Sequence, residues 1–156
     1  MGTGTIEERA EAVVAEFSEL EDWVARYRHL VQLGDAMVAS DPDLRVESHA
    51  IPGCEYDVWI RADYDPAAHR LLLQADSDAK ITRGIAALIV RVLDGQSPEA
   101  VESAELEFLT TIGLRSHLSA RRSTGLDAMV HWIKRRAREC RNGADGSRGG
   151  EAGGDG

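Results

Sequence analysis

The sequence predicts an α+β domain in which an antiparallel sheet of about three strands packs against helices. Helical spacing of apolar residues covers residues 6–34 and returns from residue 81 onward, and short alternating segments lie between residues 46 and 75. The connections between those segments are short, which favours antiparallel pairing. Strands grouped between helices, rather than alternating with them, are typical of α+β folds.

Length and charge narrow the class of protein. The chain has 156 residues, 43% of them hydrophobic and 29% charged, which suits one globular domain with one core. Its formal net charge of -9 argues against a nucleic-acid partner, because nucleic-acid binding uses a basic face. The sequence has no apolar run that could span a bilayer and no basic signal-peptide start. We therefore expect a cytoplasmic protein with no membrane partner.

Two helices are predicted at the N-terminal end. Residues 1–5 carry no pattern and are expected to be frayed, and the first helix begins at Ile6. Asp22 is predicted to cap the second helix, because an aspartate side chain can accept the free N–H groups of a first turn. The Asp, Pro and Ser content of residues 39–48 predicts a loop after it.

Three strands are predicted next. The clearest is Tyr56–Ala62, where apolar residues alternate with polar or aromatic ones. Val46–Ile51 is predicted as the strand before it, and the "RLLLQA" segment as the strand after it. The intervening "DYDPAAH" segment has turn composition, so the last two strands should form a hairpin.

The C-terminal half is predicted to be helical. An apolar stripe from Ile81 to Val92 predicts a long helix, and the preceding Asp76, Ser77 and Asp78 are of the capping type. A short helix should start at Pro98, and the last long helix should start between residues 119 and 124.

A tail is predicted after the last helix. Seven of the fifteen residues from Asn142 onward are glycine, and they have no apolar periodicity. The predicted organisation is one folded domain at residues 6–141, followed by a disordered tail at residues 142–156.

Cys54 stands out because it follows a Pro-Gly pair. Proline presets the second position of a type II turn and glycine accepts the positive φ of the third, so Cys54 should lie at or beside a loop tip. It could be a free cysteine packed as a small hydrophobe, or a reactive thiol. The other cysteine, Cys140, forms no CxxC pair with it, which argues against a disulfide scaffold or a thiolate zinc site.

The neighbours of Cys54 favour a carrier over a self-activated nucleophile. Glu55 and Asp57 flank the thiol, and nearby negative charge disfavours a thiolate. His49 is the nearest candidate base, so a cysteine hydrolase is an alternative, but it needs an orienting group and oxyanion donors. A thiol that is loaded and unloaded in the sites of other proteins does not need such neighbours.

Four segments in order resemble the SufE-type sulfur-acceptor family. They are "EDWVARYRHLVQLG", "GCEYDVW", "DSDAKITRGIAALIVRVLDGQSPEAV" and "GLRSHLSARRSTGLDAMVHWIKRRA". The second is similar to the family pattern G-C-x-S-x-V-W, and the third to D-S-D-x-x-I-x-x-G. The resemblance covers about Phe17–Ala137.

The resemblance implies a fold similar to IscU-type iron–sulfur scaffold proteins. It further implies that Cys54 accepts persulfide sulfur from a PLP-dependent cysteine desulfurase of the SufS type, stimulates that enzyme, and passes the sulfur to a SufBCD-like scaffold. The chain would not itself be an enzyme and would hold no PLP, other cofactor or metal. A regulator that binds a desulfurase without carrying sulfur is the remaining alternative.

The resemblance also assigns supporting residues around Cys54. The cysteine loop and its support comprise His49, Gly53, Tyr56, Asp57 and Trp59. The segment that contacts the partner or gates the thiol comprises Asp76, Ser77, Asp78 and Arg122. Tyr56 stands where the family has serine and His49 where it has asparagine, so both depart from the pattern. The plain alternatives are helix capping for Asp76–Asp78, surface solvation for Arg122 and simple packing for His49.

Overall fold

The computed structural model describes residues 4–37, 43–53 and 57–153, with side chains described up to Asn142. The elements in chain order are α1 (Ile6–Ser18), α2 (Trp23–Ala36), a 3-10 turn (Glu47–His49), β1 (Val58–Asp65), β2 (Arg70–Ser77), α3 (Lys80–Leu93), α4 (Pro98–Ser103), α5 (Phe108–Thr111), α6 (Leu114–His117) and α7 (Ala120–Gly153). None of the helices in these ranges is long and apolar enough to cross a membrane. Helices and an antiparallel pair of strands together confirm the α+β class.

The two strands form an antiparallel hairpin whose register runs from Val58 opposite Ser77 to Asp65 opposite Arg70. Val58, Ile60 and Ala62 of β1 are buried, and the residues between them are half-buried, so the predicted alternation is confirmed. The helices α3 and α7 pack on this hairpin. The apolar face of the hairpin thus forms one wall of the core.

The third predicted strand, Val46–Ile51, is wrong for the described residues. The segment forms a 3-10 turn, and only Ala50 makes a bridge, to Trp59. The N–H groups of His49 and Ala50 donate to Val46 and Glu47 at 2.9 and 3.1 Å. Those local bonds occupy groups that a strand would use for its ladder, so the described sheet has two strands.

Two glycines let α2 and α3 touch backbone to backbone. A Cβ atom added at Gly84 would lie 2.1 Å from the carbonyl oxygen of Leu30. A Cβ atom at Gly34 would lie 2.9 Å from the backbone nitrogen of Gly84. Leu30 is fully buried beside this contact. The spacing between the two helices therefore requires glycine at both positions.

Polar groups fasten α1 to the same pair of helices. The Arg9 guanidinium donates to the carbonyl oxygens of Arg91, Val92 and Asp94, near the C-terminal end of α3, at 3.2, 3.4 and 2.6 Å. The carboxylate of Glu16 lies 2.9 Å from Arg91 and 2.5 Å from the ring of His29 on α2. The hydrogen bond from Arg91 lowers the pKa of Glu16, against the opposing effect of burial.

Glu16→Gln is expected to destabilise the fold at pH 7 by about 1 kcal/mol, because the Glu16 side chain is partly exposed and the pair is partly screened. The pKa of Glu16 is lowered on folding, so its contribution is present above the ordinary glutamate pKa and disappears as the pH falls below it. Urea unfolding of wild type and variant at pH 7 and near pH 3 checks this. A stability difference that persists undiminished at the lower pH would contradict it.

The long helix α7 closes the domain. Leu126, Met129, Ile133 and Ala137 are buried along one face, as the periodicity predicts. Lys134 on the same helix donates to the carbonyl of Ala104, just after α4. The backbone of α7 continues as helix to Gly153, beyond residue 141, where the sequence predicts the folded domain to end. The division into a folded domain and a tail stays a prediction.

Candidate functional site

The cysteine loop, residues 52–57, leaves and rejoins the sheet at one place. The Ile51 N–H donates to the Val58 carbonyl at 2.9 Å, which closes the base of the loop. Gly53 has a φ of +87°, as the predicted Pro-Gly turn requires. Cys54 and Tyr56, two of the predicted site residues, lie outside the described residues, so the site is defined by the frame around them.

The C-terminal end of the loop is held by the last residue of β2 and the residue after it. The carbonyl oxygen of Asp57 accepts hydrogen bonds from the Ser77 hydroxyl at 2.7 Å and from the Asp78 N–H at 3.3 Å. Ser77 is only 3% exposed. Both ends of the cysteine loop are therefore attached to the hairpin and its exit.

A charged cluster lies beside this attachment. The arginine–aspartate cluster, as we call it, consists of Arg45, Asp76, Asp78 and Arg83. Asp76 is 5% exposed, and its carboxylate lies 3.0 Å from Arg45 and 2.9 Å from Arg83. Arg45 also bonds Asp78 at 2.7 Å. Hydrogen bonds that Arg45 donates to Asp78 and Asp76 raise the pKa of Arg45, so the guanidinium stays charged.

The cluster joins the segment before the loop to the sheet. Arg45 precedes the cysteine loop in the chain, and its guanidinium carbon lies 4.4 Å from the centre of the Trp59 ring. This cation–π contact covers the half-buried Trp59 on the face opposite Val58. Trp59 thus packs against a residue that precedes the cysteine loop, and its predicted support of the loop stays a prediction.

The capping role predicted for Asp76–Asp78 is wrong. The N-cap of α3 is Ala79, with no side-chain cap bond. The strand ladder continues to Ser77, so Asp76 and Ser77 belong to β2 and α3 begins only at Lys80. Asp76 binds arginines instead, and Ser77 holds the loop. The segment therefore lies next to the cysteine loop, and its role in gating the thiol or contacting a partner stays a prediction.

His49 is half-buried at the approach to the loop. Its Nδ1 lies 2.9 Å from the carbonyl oxygen of Leu44, so that nitrogen carries the proton and donates. Leu44 is fully buried. The contact fixes the ring against the backbone, which supports the packing interpretation of His49.

A groove of about 340 Å³ opens beside the first residues of the loop. Pro52 and Gly53 form one side of it. The other side is the surface of α7 formed by Thr124, Asp127, Ala128, His131, Trp132 and Arg135. A Cβ atom added at Gly53 would lie 3.6 Å from the Ala128 methyl, so this part of the loop lies close to α7. We call this space the loop groove.

The loop groove brings a histidine and an arginine to the start of the cysteine loop, and the sequence analysis did not single them out. His131 and Arg135 are exposed along it, Arg135 lies 3.9 Å from the Glu139 carboxylate, and Asp127 is paired with Arg115 at 2.6 Å. Residues 128, 131 and 135 recur at helical spacing, and this spacing was the signal in the sequence that could have placed them on one face of α7. Their closeness to Pro52 depends on how α7 packs, and no local pattern gives that.

Arg122 lies in the first turn of α7 and is half-buried. Its backbone N–H donates to the Ser119 hydroxyl at 3.2 Å, which helps to start the helix. Thr124, two residues later, lines the loop groove. The role of Arg122 toward a partner stays a prediction.

Cys140 differs from a loop thiol. It is 9% exposed on α7, and burial raises the pKa of its thiol. Less of it is therefore ionised at neutral pH than of an ordinary cysteine. Among the residues with described side chains, no three His, Cys, Asp or Glu groups are arranged to hold a metal.

Asp76→Asn is expected to lower the free energy of unfolding by about 2 kcal/mol, because it leaves two partly exposed arginines without their buried counter-charge. It should also speed alkylation of Cys54, since the cluster holds the approach to the loop. The matched control is Asp63→Asn, because Asp63 is an exposed aspartate 2.8 Å from Arg61. Its effect should stay below about 0.5 kcal/mol. Equal effects of both variants in urea unfolding would contradict a special role of the cluster.

Comparison with known proteins completes the description. Residues 11–137 match the family described as "SufE: Fe-S metabolism associated domain". The chain is 31% identical to an uncharacterized SufE-like protein of Rhizobium etli, over 81% of this chain and 87% of that one. It is 32% identical to the sulfur acceptor protein CsdE of Escherichia coli, over 80% of this chain and 84% of that one.

A solved structure has the same fold. It is the solution structure of a hypothetical protein from Thermus thermophilus, with a TM-score of 0.70 and 20% identity. The match covers 86% of this chain and 96% of that one. The expected likeness to IscU-type scaffolds stays a prediction.

Proposed function

The chain belongs to the SufE family, whose description ties it to Fe–S metabolism, and from that membership we propose that it is a sulfur acceptor. Cys54 takes the persulfide sulfur of a PLP-dependent cysteine desulfurase and delivers it to a protein that assembles iron–sulfur clusters. The similarity to a protein named as a sulfur acceptor supports this role. The observation that carries the proposal is the cysteine loop, attached at both ends and placed beside an open groove.

The transfer is a thiol–disulfide exchange. The Cys54 thiolate attacks the outer sulfur of the donor persulfide, a new S–S bond forms, and the donor S–S bond breaks. The donor cysteine leaves as a thiolate and takes up a proton, while Cys54 carries the outer sulfur. Delivery repeats the same exchange, with Cys54 as the leaving thiolate. In each step one S–S bond forms as another breaks, so there is no net oxidation or reduction and the chain needs no redox cofactor for either step.

The charged groups around the cysteine loop affect how readily the Cys54 thiol ionises. Glu55 directly follows Cys54 and Asp57 comes three residues after it, and their negative charges oppose ionisation of the thiol. The loop groove instead offers Arg135 and, when protonated, His131. A sulfur anion that enters the loop groove would be stabilised by these cations, whereas outside it a partner has to supply the positive charge. We therefore propose that ionisation of Cys54 depends on where the loop lies.

The proposal is tested by intact mass after incubation with a PLP-dependent cysteine desulfurase and L-cysteine. We expect a gain of one sulfur that reductant removes, peptide mapping to Cys54, and faster turnover of the desulfurase. A chain that binds the desulfurase but gains no sulfur would overturn the carrier role. It would leave the regulator that does not carry sulfur.

The proposal extends to partners and location. A SufS-like desulfurase is the proposed donor and a SufBCD-like scaffold the proposed recipient, in the cytoplasm. Co-purification of the chain with each complex, with and without a loaded Cys54, distinguishes donor from recipient, because the recipient should prefer the loaded form.

A further inference from the structure

A second groove lies between α1 and the segment that connects α4 to α5. Its volume is about 840 Å³, which exceeds that of the loop groove. One wall is the side of α1 from Thr5 to Val14, a length of about 14 Å at the rise of an α-helix. The floor is apolar and comprises Ile6, Ala10, Val14, Leu106 and Phe108. We call it the α1 groove.

Both walls of the α1 groove carry exposed carboxylates. Glu7 and Glu11 lie one turn apart on α1, and Glu105 and Glu107 lie on the opposite wall. None of the four forms an ion pair with the residues whose side chains are described. By contrast, Glu16 and Glu102 elsewhere on the surface bind arginines. The groove therefore presents an apolar floor between two rows of unneutralised negative charge.

Hydrogen bonds to other elements hold the walls in place. Gln96 donates to the carbonyl of Gly4 at 2.9 Å, just before α1. Thr5 and Glu8 form a reciprocal capping box at the first turn of α1. The bond from Lys134 to Ala104 ties the other wall to α7. A partner would therefore meet a formed groove and would not have to order it.

Leu106 lies in the floor of the α1 groove in an uncommon backbone conformation and also packs against the core. It has a φ of +50°, in the left-handed region that leucine seldom adopts. This backbone places an apolar side chain, half-buried, against the α1 groove. Asparagine or glycine would fit the same backbone with less strain.

We propose that the α1 groove docks a cationic amphipathic helix of a partner protein, about three turns long. Such a helix would lay an apolar stripe on the floor and place lysines or arginines on both sides, opposite the four glutamates. Nucleic acid and anionic membranes are excluded as occupants by like charge. A second copy of this chain fits poorly, because the cations Lys134, Arg136 and Arg138 of α7 already bind groups of their own chain.

The test uses a labelled synthetic helix of twelve residues, with leucines at helical spacing and lysines on both flanks. Fluorescence anisotropy with the full chain should show saturable binding that weakens at least five-fold between low and moderate salt. A peptide with glutamates in place of the lysines should not bind. Amide shift changes in NMR should fall on α1 and residues 104–108.

Matched variants separate the groove from general acidity. Glu11→Gln with Glu105→Gln removes one charge from each wall and should weaken binding about ten-fold. Glu19→Gln with Glu21→Gln removes the same charge from exposed positions outside the groove and should leave the affinity within two-fold. Leu106→Asn should also weaken binding, and because Leu106 packs against the core, an NMR spectrum of the unbound variant checks that it stays folded. Equal affinities of the two double variants, or shift changes confined to Gly53 and His131, would overturn the proposal.

Discussion

Cys54→Ser is expected to abolish sulfur loading from a cysteine desulfurase, with a loss of at least about 100-fold. A serine hydroxyl does not ionise near neutral pH and cannot carry a persulfide. Cys140→Ser is the matched control, because Cys140 is the other cysteine of the chain and is buried with a raised thiol pKa. The control should load one sulfur at the wild-type rate. Intact mass of all three proteins at fixed times gives the rates.

The turnover of the desulfurase separates the carrier from the regulator. A carrier removes sulfur from the enzyme, so Cys54→Ser should bind the desulfurase and fail to stimulate it. A variant that stimulates the enzyme as well as wild type would show that binding alone is sufficient. Loading of Cys140→Ser that falls with that of Cys54→Ser would point to a path through both thiols.

Gly84→Ala is expected to lower the free energy of unfolding by about 3 kcal/mol, the upper end of overpacking effects. The added methyl would meet the Leu30 carbonyl at 2.1 Å, and that carbonyl belongs to helix backbone that cannot rotate away. Helix propensity alone predicts the opposite sign, since alanine is about 1 kcal/mol better than glycine within a helix. Urea unfolding therefore decides between packing and propensity by the sign of the change.

Ala87→Gly, on the half-buried side of the same helix, controls for propensity. It should cost about 1 kcal/mol, less than Gly84→Ala. A stabilised Gly84→Ala variant would mean that α2 and α3 are not held in backbone contact. Gly34→Ala should also lower the free energy of unfolding, because its added methyl would approach the backbone of Gly84.

Local signals in the sequence were sufficient for much of the fold. Asp22 accepts the N–H of Ala25 at 2.8 Å, as a predicted N-cap should. Ser97 and Pro98 begin α4 as predicted. Gly53 has the positive φ that its place after Pro52 requires. Each of these features depends only on residues a few positions away in the chain, so the local sequence is sufficient to predict it.

Features that an apolar pattern does not encode were missed. One is local: the segment predicted as a strand at Val46–Ile51 forms 3-10 hydrogen bonds instead. The others depend on distant residues. Asp76 looked like a cap because its partners Arg45 and Arg83 lie on other elements. The loop groove joins Pro52 to His131, a contact that only the packing of α7 creates. Cationic neighbours of the cysteine loop could therefore not be read from the sequence around it.

The closed base of the cysteine loop sets the distance over which sulfur can move. Six residues, 52–57, start and end at one hydrogen bond between Ile51 and Val58. Cys54 is three residues after Ile51, a stretch that spans about 10 Å when fully extended, so the thiol can reach no further from the sheet than that span plus the length of its own side chain. A long swinging arm can visit two active sites while its protein stays bound to both, and this tether cannot. For the proposed sulfur delivery we therefore expect release and re-docking of the whole protein, with a rate that depends on the concentration of the carrier.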